Sequence, residues 1–524
     1  MAVLSTSATE LRLDMIPTLS QILSMSTLAR GGILLVTFGL FRLVYTGLRS
    51  IYRVHFHPLA KFAGPREAAI SRDWEFKIAT EKGAYPEKVY ERLHKEHNTH
   101  ALRIGPNELH LEYVSLYKVI YGQNTKYLKD PGYYDAFSSH QTMFGQYDPQ
   151  LHRQRRKLMN PMFSRAGIFK LEGLIHDKYE LMERKILRLC KKGSSTIDAY
   201  DAFRALITEI ITQFALSRSA GMIEESPDSF KASNVDAIEG TAGGIEYMRQ
   251  YWVLRVLSAT LPRKLVARFG GDVGQFMHVL DYAEESVHHW EHHKREVDHP
   301  VVSDALEGLA DKQKSGEAMS MIIAGGNTTA STLTYAVAAV TRDPRIHQRL
   351  VSELESALGA RGRKRGDRLA LTELEEIPYL MAMVRESVRC AVAQPARLPR
   401  VVPDDGEPLV VDGKVIPPGT IVGMSTYTMN MSEEIFGPDA RQFNPERWLQ
   451  PESKQLAEHI YTFSKGSRMC IGINLANAEL AILIARLFYN LKVSRPCHFQ
   501  EPVEREHFTV SYSPGGLPMN FEAK

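Results

Sequence analysis

Helical spacing of apolar positions dominates the chain and predicts helices over Tyr85–His97, Glu317–Thr341, Ile377–Val392 and from Gly472 to Tyr489. Residues 165–300 give further helices of mixed character. Alternation is confined to short runs. Ala101–Ile104 and Glu108–Leu111 flank Gly105, Pro106 and Asn107 as a hairpin would, and 410–420 carries the Asp-Gly and Pro-Pro-Gly turns of a small antiparallel sheet. Residues 130–149 are rich in Gly, Pro, Ser and aromatic residues without periodicity, so a long loop is expected there.

The N-terminus has a pattern of its own. Residues 31–48 are apolar except for Thr37, Arg42, Tyr45 and Thr46, near the lower length limit for a membrane span. Arg42 would cost about 3 kcal/mol at mid-bilayer. It stands six residues from the end of the run, so its head can snorkel to the interface. Ile16, Leu19, Ile22 and Leu23, within the 1–30 segment, form an amphipathic stretch suited to a membrane surface. Arg49, Arg53, Lys61 and Arg66 follow and place the C-terminal side in the cytosol. No small-residue cleavage site follows the run, which argues for a retained signal anchor in the endoplasmic reticulum. A basic, proline-containing hinge over 49–66 then leads into 67–524.

Composition changes this picture little. The 524 residues carry a formal net charge of +3 with both signs mixed, which gives no nucleic-acid footprint. Four cysteines are too few for a disulfide framework and fit a reducing compartment. Histidines 288, 289, 292 and 293 have metal-ligand spacing, but the Glu, Lys and Arg residues around them suit an exposed polar helix better.

Candidate chemistry begins at Cys470. Gly466 and Gly472 frame it, Arg468 stands two residues before it, and Phe463 stands seven before it. A cysteine at the start of an apolar helix meets orphan backbone N–H groups that favour a thiolate. A buried structural cysteine is the commoner fate of a lone thiol, but it leaves the surrounding pattern unexplained. The stretch F-x-x-G-x-R-x-C-x-G resembles the haem-binding loop of the cytochrome P-450 family at every defined position. His57 to Pro65 is similar to the proline hinge of the family's fungal microsomal members, with Ala63 in place of the middle proline.

The resemblance implies a mainly α fold with small β-sheets, one large domain behind the anchor, and haem with Cys470 as axial ligand. It places haem-propionate contacts on His152, Arg156, Arg400 and Arg468, beside the loop residues Phe463 and Gly472. Ala324–Thr329 matches the oxygen-groove motif, with Thr328 in the proton-delivery position and Asn327 where the family has an acid. Two adjacent glycines inside a helix, Gly325 and Gly326, need a cause: close helix packing, or a groove for O2 and water. Glu386, Arg389 and Arg447 look like the structural Glu-Arg-Arg triad. Loop 130–149, residues 205–220, residues 393–396 and a final hairpin tip at 511–516 are expected around the substrate.

The function implied is insertion of one atom of O2 into a hydrophobic small molecule, in fungal secondary metabolism and with terpenoids as one candidate class. Electrons would come from NADPH through a separate flavin-containing cytochrome P-450 reductase, since no dinucleotide fingerprint occurs in the chain. A haem-thiolate isomerase or dehydratase working without O2 or reductase is the alternative, and Asn327 leans toward it.

Overall fold

The computed structural model describes residues 27–524, apart from 82, 84, 138–140, 194–195, 267, 269–270, 293–296 and 513–514. The amphipathic stretch before residue 27 and His293 lie outside the described residues. The chain forms two compact units, Met1–Ala60 and Lys61–Lys524.

In the first unit one helix, α1, runs over Thr27–His55. Gly31–His55 is long and apolar enough to cross a membrane, and none of it is buried. The helix therefore continues through the first seven residues of the expected hinge. Nothing in Arg49–His55 breaks a helix, and Pro58 is the first residue that does. An 18-residue run such as 31–48 spans about 27 Å as a helix, so the basic turns after it need not enter the hydrocarbon.

The second unit is mainly helical. The helices that build its centre are α2 (Asp73–Thr80), α3 (Pro86–His97), α4 (Pro149–Phe163), α5 (Ala199–Leu216), α6 (Ser233–Gln250), α7 (Asp311–Arg342), α8 (Pro378–Ala391) and α9 (Ile473–Asn490). Asp148 caps α4 by accepting from the N–H groups of Gln150 and Leu151, with Pro149 in the first turn. Helix α7 lies in the middle and packs hardest against α5. An added Cβ on Gly325 would fall 2.6 Å from Ile211 Cγ1, and one on Gly326 would fall 3.0 Å from Thr208 Oγ1. Close packing thus explains both glycines. It also corrects the expectation for 205–220, whose apolar residues Ile211 and Phe214 belong to the core rather than to a ligand cavity.

The small sheets include the strands β1 (Ala101–Gly105), β2 (Glu108–Leu111), β3 (Leu128–Lys129), β4 (Arg400–Val401), β5 (Leu409–Val411), β6 (Lys414–Ile416), β7 (Ile421–Gly423), β8 (Arg505–His507) and β9 (Thr509–Ser511). A separate three-stranded sheet joins Ile197–Asp198, Pro518–Ala523 and Leu491–Ser494. The five-stranded sheet runs β1-β2-β7-β4-β3. Strands β5 and β6 form a hairpin whose Asp412 and Gly413 both have positive φ, 50° and 70°, as the Asp-Gly pair requires.

The predicted β1–β2 hairpin is present, but both faces of both strands are buried. Its polar positions do not meet water. Glu108 accepts from the Arg397 guanidinium at 2.6 Å, and His110 Nδ1 lies 2.8 Å from His94 Nε2. The register opposes Leu102 to His110 and Arg103 to Leu109, so each face mixes apolar and polar residues and both are core. In the β8–β9 hairpin the tip is Phe508, three residues before the stretch expected to form it.

Candidate active site

A cavity of about 260 Å³ opens between α7, the start of α9 and the residues Phe137 and Phe144 of the stretch expected as a loop, which in fact opens with a short helix over Pro131–Tyr134. Most of its wall is apolar, from Phe137, Phe144, Ile245, Phe276, Met319 and Phe508. Ala393 and Gln394 also border it, in agreement with the expectation for 393–396. Phe276 and Ile245 are lining residues that sequence reasoning missed, because their helices carry no distinguishing motif.

Cys470 Sγ lies on this wall. The sulfur surface is open, yet it faces the internal cavity rather than bulk water. Burial pushes the thiol up, while the Gly472 N–H and the Arg156 guanidinium pull the other way. The loop that carries it is fixed by backbone: Cys470 N–H donates to Phe463 O at 2.8 Å, and Arg156 Nη1 donates to Met469 O at 2.6 Å. Gly466 has φ +69°, and a side chain there would collide with the backbone of Tyr121 and Gly122. Gly472 caps α9.

Behind the loop stands a buried ionic frame. Glu386 takes two bonds from Arg389, at 2.7 and 2.9 Å, and one from Arg447 at 3.1 Å. Trp448 Nε1 and Asn444 N–H complete the carboxylate, both at 2.8 Å. Arg389 reaches Asn430 O at 2.9 Å. The Asn430 amide in turn donates to Thr462 Oγ1 at 2.7 Å and accepts from Tyr461 N–H at 2.9 Å, next to Phe463. Asn444, Trp448 and Asn430 were not singled out in the sequence, although the first two sit inside the motif that supplied Arg447.

Of the four expected basic residues Arg468 borders the cavity, and His152, Arg156 and Arg400 cluster around it, joined by a fifth, Lys129. Among the described residues none of Lys129, His152, Arg156, Arg400 or Arg468 forms an ion pair with Asp or Glu. Lys129 instead donates to Phe144 O and lies 4.1 Å from the Tyr134 ring centre. Arg400 Nη1 donates to Tyr134 Oη at 3.0 Å, and Arg468 Nη1 to Gln146 O at 2.5 Å. Burial, reinforced by Arg400 and Arg468, holds Lys129 well below the usual lysine range. Burial, then Arg468, Lys129 and Arg156, brings His152 down to about 3. Arg468 falls to about 10, mainly by burial and then by Arg400. Uncompensated buried cations of this kind call for an anionic ligand. Lys129 was missed because it stands alone in a two-residue strand.

Thr328 borders the cavity and its hydroxyl donates to Ala324 O at 2.7 Å. Asn327, one residue earlier, does not border the cavity. Its amide points toward Tyr200 and β9. Glu479 on α9, 2% exposed, is a titratable group near this turn and is bonded to the Thr329 hydroxyl. Burial pushes its carboxyl up to about 8.

Comparison with known proteins decides what family builds such a site. The family model described as Cytochrome P450 matches residues 76–518. The chain is a cytochrome P-450.

Among its relatives, cytochrome P450 monooxygenase macH of Penicillium terrestre is 29% identical over 86% of this chain and 90% of its own length. Cytochrome P450 monooxygenase aflU of Aspergillus parasiticus is 31% identical over 91% and 97%. Tryptophan 6-hydroxylase fscE of Fusarium equiseti is 30% identical over 93% and 96%. The crystal structure of a cytochrome P450, CYP102L1, shares the fold with a TM-score of 0.68 at 17% identity, covering 86% of this chain and 96% of that one.

A cytochrome P-450 monooxygenase holds haem through a cysteine thiolate, receives electrons from a redox partner and acts on a hydrophobic substrate. The residues present fit that cofactor. A sulfur lies on one wall and unpaired cations at the cavity edge can meet carboxylates, while the remaining wall is apolar. The isomerase or dehydratase alternative has no support among these relatives.

Proposed function

We propose that this cytochrome P-450 monooxygenase binds haem with Cys470 as the axial ligand, and that residues 67–524 form its catalytic domain. The observation that carries the reading is one cavity bordered by Cys470, Thr328 and Arg468, with Lys129, His152, Arg156 and Arg400 clustered around Arg468. Lys129, His152, Arg156, Arg400 and Arg468 would hold the propionates. His152, neutral at physiological pH, would serve as a hydrogen-bond donor and the others as charges. Bound there, haem supplies the redox chemistry that activates O2, and the thiolate donates electron density to iron.

The protein's part is to bind, orient and keep water away. Phe137, Phe144, Phe276 and Phe508 press an apolar substrate toward the sulfur side of the cavity. Thr328, with its hydrogen on Ala324 O, offers oxygen lone pairs to a proton-bearing water at the cavity wall. The substrate is an apolar small molecule of secondary metabolism. NADPH-cytochrome P-450 reductase is the proposed redox partner. Helix α1 is the proposed single-pass anchor in the endoplasmic reticulum membrane, with the catalytic domain in the cytosol, supported by its length and by the basic residues that follow.

The test is reconstitution with reductase and measurement of product formed per NADPH consumed. Product should require both NADPH and O2. In Thr328→Ala more electrons should leave as peroxide and less product should form. Product without NADPH would overturn the monooxygenase reading, and unchanged coupling in Thr328→Ala would remove that residue from proton delivery.

A further inference from the structure

Asn327 occupies the position where the family's groove motif carries an acid, yet every polar atom of its side chain is committed elsewhere. Its Nδ2 donates to Thr509 Oγ1 at 3.0 Å and to Val510 O at 3.1 Å, and its Oδ1 accepts from Tyr200 Oη at 3.2 Å. A backbone carbonyl can only accept, so Val510 O fixes which end of the amide faces β9. Of these partners only Val510 O requires a donor, since the Thr509 and Tyr200 hydroxyls can each donate or accept. A carboxylate has no donor, and its protonated form has one. The site is therefore matched to a side chain that carries a donor, which asparagine supplies at every pH and an ionised acid does not.

What the amide holds is the β8–β9 hairpin. Its tip, Phe508, has φ +69°, which a bulky side chain adopts only when its surroundings enforce it. The bonds that enforce it lie on both sides. Phe508 N–H donates to Glu506 Oε1 at 3.0 Å, Val510 N–H donates to Ala393 O at 2.9 Å, and Ser331 Oγ donates to Val510 O at 2.7 Å. Asn327 binds the two residues that follow the strained one.

In that conformation the Phe508 ring stands edge-on to Phe137, with 4.8 Å between centres, and to Phe144 at 6.0 Å. It borders the large apolar cavity on one side. On the other it borders a small chamber of about 20 Å³ walled by Glu87, Glu506, Tyr90, Arg249 and Arg397. Glu87 Oε2, Tyr90 Oη, Arg249 Nε and Glu506 Oε2 are unpartnered within the protein there, enough polar atoms to surround one water. Phe508 is thus the partition between an apolar cavity and a charged one.

We propose that Asn327 is a positioning residue for substrate specificity: through Thr509 and Val510 it holds Phe508 as the end wall of the substrate cavity, and it takes no part in proton delivery. This rests on the reading of that cavity as the substrate site. It accounts for the missing acid without any change in reaction type, because the amide serves a neighbouring hairpin.

The test uses the full-length, haem-loaded protein and equilibrium spectral titration with two N-alkylimidazoles, methyl and dodecyl. Phe508→Ala should favour the long chain over the short by about tenfold relative to wild type, the scale of a changed apolar pocket. Asn327→Asp should shift the same ratio in the same direction by a few fold, and product per NADPH should fall or stay level at every pH. Should Asn327→Asp not fold, Thr509→Val removes one partner and should give a smaller shift of the same sign. The proposal is overturned if these variants leave the ratio unchanged, or if Asn327→Asp raises product per NADPH as a restored acid would. The titrations need neither NADPH nor O2, so failure of the monooxygenase reading would leave their outcome untouched.

Discussion

The cysteine side of the cavity is held by buried charge, whereas the side facing it is held by amides, hydroxyls and aromatic rings. Glu386, Arg389 and Arg447 bind one another and a series of backbone carbonyls, so the loop before Cys470 has one place to go. Across the cavity, Asn327, Ser331 and Thr509 fasten a hairpin through neutral hydrogen bonds, and rings at Phe137, Phe144 and Phe508 fill what remains. A buried ion pair cannot lose one member cheaply, while a neutral bond costs about 0.5–1.5 kcal/mol to lose. The first side suits chemistry that must not vary. The second suits a ligand recognised by its apolar shape rather than by charge.

Breaking the ionic side should therefore cost most. Glu386→Ala leaves Arg389 buried without its ion-pair partner and Arg447 with Asp439 alone, a loss of about 3–5 kcal/mol of stability. Little haem-loaded protein should be recovered. Full haem content with merely slower turnover would contradict a scaffold role.

Glu479 sharpens the comparison, since it is a buried carboxyl near the cavity with a hydroxyl as its partner rather than a guanidinium. Its folded-state value of about 8 lies above that of an unfolded glutamate. The unfolded chain therefore releases a proton that the folded chain keeps, and stability falls as pH rises from the unfolded value toward 8. Relative to Glu479→Gln, wild type should lose up to about 1.4 kcal/mol per pH unit between pH 5 and 8, read from chemical unfolding midpoints. Parallel pH profiles for the two proteins would show that the carboxyl is ionised in the fold.

Lys129 tests the cation cluster, and its effect is smaller and more specific. Lys129→Met removes a buried charge that the protein does not pair. The haem-free protein should become more stable. Haem should leave the loaded protein roughly 10–100-fold faster, the loss expected for one charge-assisted hydrogen bond. Transfer of haem to apomyoglobin measures this, and an unchanged rate would place Lys129 outside the haem-binding set.

Legibility in the sequence follows the same division. The ionic side could be read in advance because fixed chemistry leaves fixed spacing: Phe463, Arg468, Cys470 and the Glu386–Arg389 pair stand in local motifs. The helices α3, α7, α8 and α9 were legible within a few residues, since long apolar periodicity overrides local detail. What could not be read depends on contacts between distant segments. Gly325 and Gly326 owe their place to Ile211 and Thr208, more than a hundred residues away. Asn327 looks like a damaged relay until Thr509 and Val510 are seen beside it. The polar positions Glu108 and His110 would suit water in the sequence, and the fold buries them against Arg397 and His94 instead.

The assignment of Cys470 as the iron ligand carries the rest, and the spectrum of the ferrous carbonyl complex tests it most directly. The loaded protein should give the red-shifted Soret band of a thiolate-ligated haem. Cys190→Ser, Cys390→Ser and Cys497→Ser, made singly, should keep that band, while Cys470→Ser should lose it. Persistence of the band in Cys470→Ser, or its disappearance in one of the other three with Cys470 intact, would contradict the assignment.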